Sequence, residues 1–464
     1  DIWALHLAGR LDAEQGQTEA QTLVDVALES ARIGELDAAI ELLDRARVSD
    51  ADRPLGQTAC ALIANYHMAV VLDRLGEAGA AAAARARARR GDRRWNFPSR
   101  LDDVAALEVA LAADPADATA AALLGHWCYA HARLGDALAN WRRSVELDPS
   151  DPVVWRNLGV GAYNHDHDPE AANAAYERAL SAASADARLL FESDQLLKLM
   201  GAPADSRLRR LDEHPHSLTA RDDLAVEYAH LLVTTGRPAK ALAVLHERRF
   251  QPWEGGEGQV LRAWERTQLS LAEAALQSGD ATAAVNHARS ALDTPESLGE
   301  ARHPLANPAQ LLLVLGNALE ADNDSDGAAR CWRQAAEARG DFNQMSPRSY
   351  SENTYYSVLA ARRLGEMAYA DELMMGLAAH TELLARTPAK IDYFATSLPA
   401  LLLFDDDPQK RQDLLVELLR AQLALLAGDE TGAQRHLNTV LNADPSHELA
   451  LDAARRLEYV RSLS

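Results

Sequence analysis

The sequence predicts an all-α chain: an α-solenoid of antiparallel helix pairs stacked into a right-handed superhelix. Three observations carry this. Hydrophobic residues are 48% of the chain but aromatics only 5%, a balance that suits close helix packing rather than β-sheet cores, which want Val, Ile and aromatics. Small residues recur at fixed offsets after an inter-helix Gly. The same pattern then returns along the chain at a period of about 34 residues. A chain of 464 residues would suggest about three globular domains, but a repeat array needs no such division. Residues 1–464 therefore read as a single continuous solenoid of about a dozen helix pairs.

The first recognisable unit is Gly34/Ala39/Ala46. Residues 77–100 run from an Ala-rich helix into Arg85, Arg87, Arg89, Arg90, Arg93 and Arg94, then Trp95, Asn96, Phe97 and Pro98, with an interior loop at 91–100. From Ala118 the chain reads Leu124-Gly125, Ala137, Trp141 and Pro149, which match the seventh, eighth, twentieth, twenty-fourth and thirty-second places of the tetratricopeptide pattern. Trp155, Leu158-Gly159, Ala172, Tyr176 and Ala179 form the next unit. Residues 186–220 read as helix broken by Gly201 and Pro203. Further units follow at Gly236/Ala241, Gly279/Ala284/Ala291, Leu315-Gly316/Ala328/Trp332/Ala335, Gly365/Ala370 and Gly428/Ala433. Interior loops are expected at 250–258, 294–308 and 341–353, with another break at Asp405-Asp406-Asp407-Pro408. Glu448 to Leu463 reads as a terminal capping helix with Arg455, Arg456 and Arg461 exposed. The spacing has a physical cause: small residues let two helices approach at their crossing points, and Leu, Trp and Tyr fill the holes between. Each hairpin leaves an apolar face that the next one buries.

Lys plus Arg is 47 and Asp plus Glu is 69, so the net charge is 47 − 69 = −22. That argues against a nucleic-acid surface or an anionic membrane as partner. Cys60, Cys128 and Cys331 are odd in number and form no CxxC, so neither a disulfide framework nor a zinc site is expected, which fits a cytoplasmic location. No apolar run reaches the roughly 18 residues of a spanning helix, and no basic and apolar leader opens the chain. The chain begins with Asp1 rather than Met, which leaves room for a longer parent protein.

Several stretches go beyond generic repeats: NFPSRLDDVAALEVAL (96–111), VVWRNLGVGAYN (153–164), DARLLFESDQL (186–196), RRFQPWEGGEGQVL (248–261), ESLGEARHPL (296–305) and KIDYFATSLPALLLF (390–404). On these the chain resembles the C-terminal tetratricopeptide-repeat region of a bacterial family of unknown function, whose members usually carry an N-terminal galactose-mutarotase-like β domain. The resemblance covers most of the chain, most specifically from about residue 96 to the end, and only the array. It implies a mutarotase-like domain as a possible partner and a saccharide as a possible ligand, but transfers no chemistry, because no such β domain is present in the sequence.

The loop Trp253-Glu254-Gly255-Gly256-Glu257-Gly258 is the leading candidate site. A Trp face can stack on a sugar or cation, glycines permit close backbone approach, and carboxylates accept hydroxyl hydrogen bonds. Equally, Trp253 can plug the gap between hairpins while Glu257 favours a helix N-terminus. Leu298-Gly299-Glu300-Ala301-Arg302-His303-Pro304 follows just over one repeat later, so stacking is expected to gather Trp253, Glu254, Glu257, Arg302 and His303 into one pocket. Paired carboxylates with a His could serve glycosidase-like chemistry, yet most acidic loop pairs meet that geometry.

On the first helices of the repeats, the groove-facing places give Ala122, His126 and Tyr129, then Arg156, Tyr163 and Asn164, with Asn157 adjoining. That mixed polar and aromatic set suits a peptide or small polar ligand. It lacks the Lys and Asn of a chaperone-type carboxylate clamp. His165-Asp166-His167-Asp168 offers metal-ligand types but sits at an inter-helix turn, where such residues are common. The Arg run at 85–94 reads as a solvated face, paired internally, with Trp95 and Phe97 anchoring the loop. No GxSxG, HExxH, Walker or dinucleotide fingerprint occurs, and no strands are evident. The sequence thus predicts a non-catalytic scaffold with no cofactor or metal, binding a protein, peptide or small polar ligand. The alternative is the accessory region of a carbohydrate-active protein.

Overall fold

The structure, a computed structural model, describes residues 19–49, 59–253, 255–343, 346–390 and 403–463. It falls into two units, Asp1–Ser184 and Ala185–Ser464. Among the described residues there are 23 helices and one two-stranded hairpin, arranged as antiparallel helix pairs of the tetratricopeptide type.

The first unit holds α1 (Ala20–Ile33), α2 (Leu36–Ser49), α3 (Ala61–Arg74), α4 (Ala78–Arg90), α5 (Leu101–Ala113), α6 (Ala118–Ala130), α7 (Leu134–Leu147), α8 (Pro152–Asn164) and α9 (Pro169–Ala182). Helices pair as α1–α2, α3–α4, α6–α7 and α8–α9, and α5 packs between α3 and α6. The second unit begins with α10 (Ala187–Leu199), α11 (Ala204–Asp212) and α12 (Pro215–Ala220). Three pairs follow before a short hairpin, and two more after it: first α13 (Asp222–Thr234) with α14 (Pro238–His246), α15 (Gln259–Ser278) with α16 (Ala281–Leu292), and α17 (Ala309–Ala321) with α18 (Ser325–Glu337). After the hairpin β1 (Asp341–Asn343) and β2 (Ser346–Arg348) come α19 (Thr354–Arg363) with α20 (Met367–Arg386), α21 (Pro408–Leu426) with α22 (Glu430–Ala443), and α23 (Glu448–Leu463).

The repeat spacing does what its chemistry requires. Ala39, Ala46, Ala137, Ala172, Ala179, Ala241, Ala284, Ala291, Ala328, Ala335, Ala370 and Ala433 are all 0% exposed, each at a helix crossing. Opposite them, Gly on the first helix leaves room for an aromatic from the second. A Cβ added at Gly316 would lie 2.5 Å from Trp332 Cδ1, and one at Gly159 would lie 2.7 Å from Tyr176 Cδ2. Helix ends are set locally. Gly34 closes α1 at φ 95°, a left-handed conformation that costs a side chain free energy but Gly little. Asp151, Asp168 and Asp407 cap helices that open on Pro, and each accepts from an amide of the first turn.

Three expectations need correction. Residues 341–353 are not all loop, because the short hairpin pairs Asp341 with Arg348 and Asn343 with Ser346. It carries no β-branched run to betray it; Asp341 instead ties it down, accepting from Asn307 N (3.0 Å), Ser351 Oγ (2.8 Å) and Asn353 Nδ2 (3.1 Å). Trp95 and Phe97 do not anchor their loop, being 58% and 56% exposed, whereas Asn96 between them is buried. Asn96 is held by a β-bridge to Ala59 and by Nδ2 donating to the carbonyls of Asp92 (2.9 Å) and Arg94 (3.1 Å), while Trp95 before it turns at φ 65°, so the polar residue, not the aromatics, ties the loop down. Arg456 is not exposed either: it pairs with Glu273 and Tyr356 of its own unit.

Candidate functional site

In the first unit, α6 and α8 are the first helices of adjacent pairs, so residues at their facing positions meet. His126 Nδ1 accepts from Trp141 Nε1 at 3.0 Å and lies 3.3 Å from Asn157 Nδ2. Asn157 Oδ1 in turn accepts from Arg156 Nη1 at 3.1 Å. The Tyr129 ring lies 5.3 Å from that of Trp141. Two donors aimed at Nδ1 leave the imidazole proton on Nε2. Burial lowers the His126 pKa to about 4, so the ring is a neutral acceptor and donor at pH 7. The ring is half-buried, with Nδ1 turned into the hairpin. Tyr163 and Asn164 end α8 half-buried and hold contacts of their own. Ala122 does not line this face; it is 2% exposed and belongs to the core.

The structure brings the two interior loops of the second unit together, though through residues other than those expected. Phe250 N donates to Ser297 O at 2.8 Å, and Glu300 accepts from Gly258 N at 2.6 Å and Leu261 N at 2.7 Å. Glu300 therefore caps α15, whose preceding glycines offer no side-chain acceptor of their own. Trp253 is half-buried with its indole against Gly256, whose amide donates to Trp253 O at 3.0 Å. Glu257 is exposed; Glu254 lies outside the described residues, as does most of the 390–404 segment. Arg302 and His303 turn elsewhere. Arg302 pairs with Glu265 (2.5 Å) and donates to the carbonyls of Ala291 (2.8 Å) and Leu292 (3.0 Å), closing the C-terminus of α16. His303 stacks on Phe342 of the hairpin at 4.0 Å. Glu300 was legible only in retrospect, as an acid one repeat away from a helix that starts on Gly.

The Arg run is paired within the unit. Arg85 meets Asp73 (2.7 Å), Arg89 meets Asp114, and Arg93 bridges Asp148 (2.7 Å) and Asp151 (3.2 Å). In the 165–168 turn, Asp166 pairs with Arg142 (2.5 Å) and Asp168 caps α9 through Ala171 N (2.9 Å). Among the described residues no group of three or more His, Cys, Asp and Glu is placed to hold a metal ion, and no helix is long and apolar enough to cross a membrane. Burial raises the thiol pKa of Cys128 and of Cys331, which keeps both from acting as thiolates near neutrality.

No family model matches the chain. Among solved structures it is similar to a tetratricopeptide repeat protein from Parabacteroides merdae, with 14% identity over 65% of this chain and 98% of that one at TM-score 0.28. It is also similar to the Cut9–Hcn1 hetero-tetramer of the APC/C, with 15% identity over 94% of this chain and 76% of that one at TM-score 0.29. A third likeness is to YrrB, described as a TPR protein with an unusual peptide-binding site, at 13% identity over 50% and 91% and TM-score 0.28. The assignment to helix pairs rests on this chain's own hairpins.

Proposed function

We propose that the chain is a non-catalytic binding scaffold that recognises a protein or peptide segment through the facing first helices α6 and α8. The observation that supports this is the linked set His126, Trp141, Asn157 and Arg156, with Tyr129 beside it. Adjacent repeats here present hydrogen-bonding groups whose rotamers are already fixed, which lowers the entropy lost on binding. Neutral imidazole, amide and phenol groups read backbone amides and small polar side chains rather than a bare charge. A cytoplasmic setting fits three cysteines of which none forms a disulfide among the described residues. The test is a displayed peptide library selected against the full chain, with enriched peptides re-bound to Tyr129→Ala and Arg156→Ala variants. Enrichment of a consensus whose affinity falls about tenfold, or about 1.4 kcal/mol, in either variant is expected. Absence of enrichment, or peptides indifferent to both changes, overturns the proposal.

A second reading is favoured by one observation, the stitching of the loops at 250–258 and 296–300 by Glu300 and Phe250. In that reading Trp253 and Glu257 form a pre-ordered edge that contacts a saccharide or an upstream mutarotase-like domain, with Arg302 and His303 supporting the loops from behind. A saccharide array probed with wild type and Trp253→Ala decides it. Equal signals from the two proteins count against it.

A further inference from the structure

Helix α23 has two opposed faces. Ala450 and Leu457 are buried in a cluster with Leu418, Ala421, Leu437 and Val440, the contacts a capping helix needs. Glu448, Asp452, Arg455 and Arg456 fall at i, i+4, i+7 and i+8, along the opposite side. That charged side is engaged too, by first helices far earlier in the same unit. Glu448 Oε1 lies 2.8 Å from His230 Nδ1 on α13 and 3.8 Å from Arg266 on α15. Asp452 takes a two-pronged contact from Arg266, Nε and Nη2 each at 3.0 Å. Arg456 donates to Glu273 on α15 (2.7 and 3.0 Å) and to the Tyr356 hydroxyl on α19 (3.0 Å). Arg455 reaches the carbonyls of Val233 (3.2 Å) and Thr234 (3.4 Å) at the end of α13.

We infer that the faces of α13, α15 and α19 form a helix-binding surface, which α23 fills as an internal ligand. Its external partner is an amphipathic helix with acids at i and i+4 and Arg at i+8. Charge complementarity sets that spacing. His230 and Arg266 take the two acids, and Glu273 with Tyr356 takes the arginine; a helix with the order reversed would place like charges together. Contacts of this kind suit exchange. The bidentate Arg266–Asp452 pair fixes register, and the side chains of this seam are still 10–35% exposed, so salt reaches and weakens it as it does not the apolar seam on the other side of α23. The inference goes beyond the peptide reading above and concerns residues of the other unit, so either can fail without the other.

The experiment uses the full chain and a fluorescein-labelled synthetic peptide of residues 444–463, followed by anisotropy. Glu448→Lys with Asp452→Lys weakens the internal helix and leaves the receiving face intact. The labelled peptide is expected to bind this variant at least about tenfold more tightly than wild type, because the competing internal state no longer dominates. Adding Arg266→Glu and Glu273→Arg is expected to abolish that binding. Equal affinity for wild type and the double variant, or binding that survives reversal of Arg266 and Glu273, overturns the inference. Should the double variant not fold by circular dichroism, hydrogen exchange on Arg455→Ala decides. Faster exchange in 448–463 than in 430–443 supports an exchangeable helix, and exchange in step across both overturns it.

Discussion

Trp141 packs its indole into the space that a side chain on Gly125 would occupy, with Nε1 2.5 Å from the position of an added Cβ. The same relation holds between Trp332 and Gly316, so the Leu-Gly dipeptide of the first helix and the aromatic of the second are one packing device. Gly125→Ala and Gly316→Ala are each expected to cost about 1–3 kcal/mol through overpacking. Gly135→Ala is the control. That glycine is exposed in a helix with nothing within 4 Å of an added Cβ, and its replacement should stabilise by about 0.5–1 kcal/mol. Urea unfolding of the three variants measures the contrast.

Arg207 is 1% exposed and pairs with Asp194 (2.5 Å) and Glu227 (2.7 Å), while Lys198 also meets Glu227 (3.2 Å). Burial opposes the Glu227 charge, but Lys198, Arg207 and His230 outweigh it and hold its pKa at about 2. Arg207→Ala leaves Asp194 uncompensated and should cost about 3–5 kcal/mol. Urea midpoints that move by only a fraction of this would mean the unit relaxes to admit water.

The His126 ring titrates at about 4 when folded, against an ordinary 6.5, because burial disfavours its cation. The unfolded chain thus binds a proton first. Stability from this group is complete above pH 6.5 and is lost as pH falls towards 4, by up to about 3 kcal/mol. Carboxylates contribute acid dependence of their own, so the comparison is between wild type and His126→Gln. Wild type should lose more stability between those limits, and the His126 imidazole resonances should remain those of a neutral ring at pH 5.

Glu300 satisfies two amides at the start of α15, those of Gly258 and Leu261. Glu300→Ala should cost about 1–2 kcal/mol and raise hydrogen exchange first at those two amides. A rise spread evenly over both loops would show instead that Glu300 orders the whole platform.

Much of this architecture is readable without coordinates, because it is local. The twelve alanines at the crossings, the glycines that close helices and the aspartates that cap them act within a hairpin of their own making. What escapes sequence reading is what depends on the direction a side chain takes once helices are packed, near in sequence or far. His126 reads as a groove residue, but its bond to Trp141 and its neutral state depend on how α7 lies against α6. The two interior loops do meet, yet Arg302 leaves them for Glu265 because the end of α16 exposes carbonyls that need a donor. Arg456 looks like a solvated charge on a terminal helix until α15 and α19 are beside it.

The partners of Arg455 and Arg456 lie 222 and 183 positions earlier in the chain, which gives the second unit a temporal order. Each hairpin can close as it leaves the ribosome, since its contacts are short in sequence and cheap in loop entropy. The charged seam cannot close until α23 has been made. During synthesis the receiving helices therefore stand assembled and unlatched, and a partner present at that moment meets no internal competitor. On the helix-exchange proposal, assembly with such a partner is expected to be favoured on nascent chains over finished ones, because the competing internal helix is made after the helices that receive it.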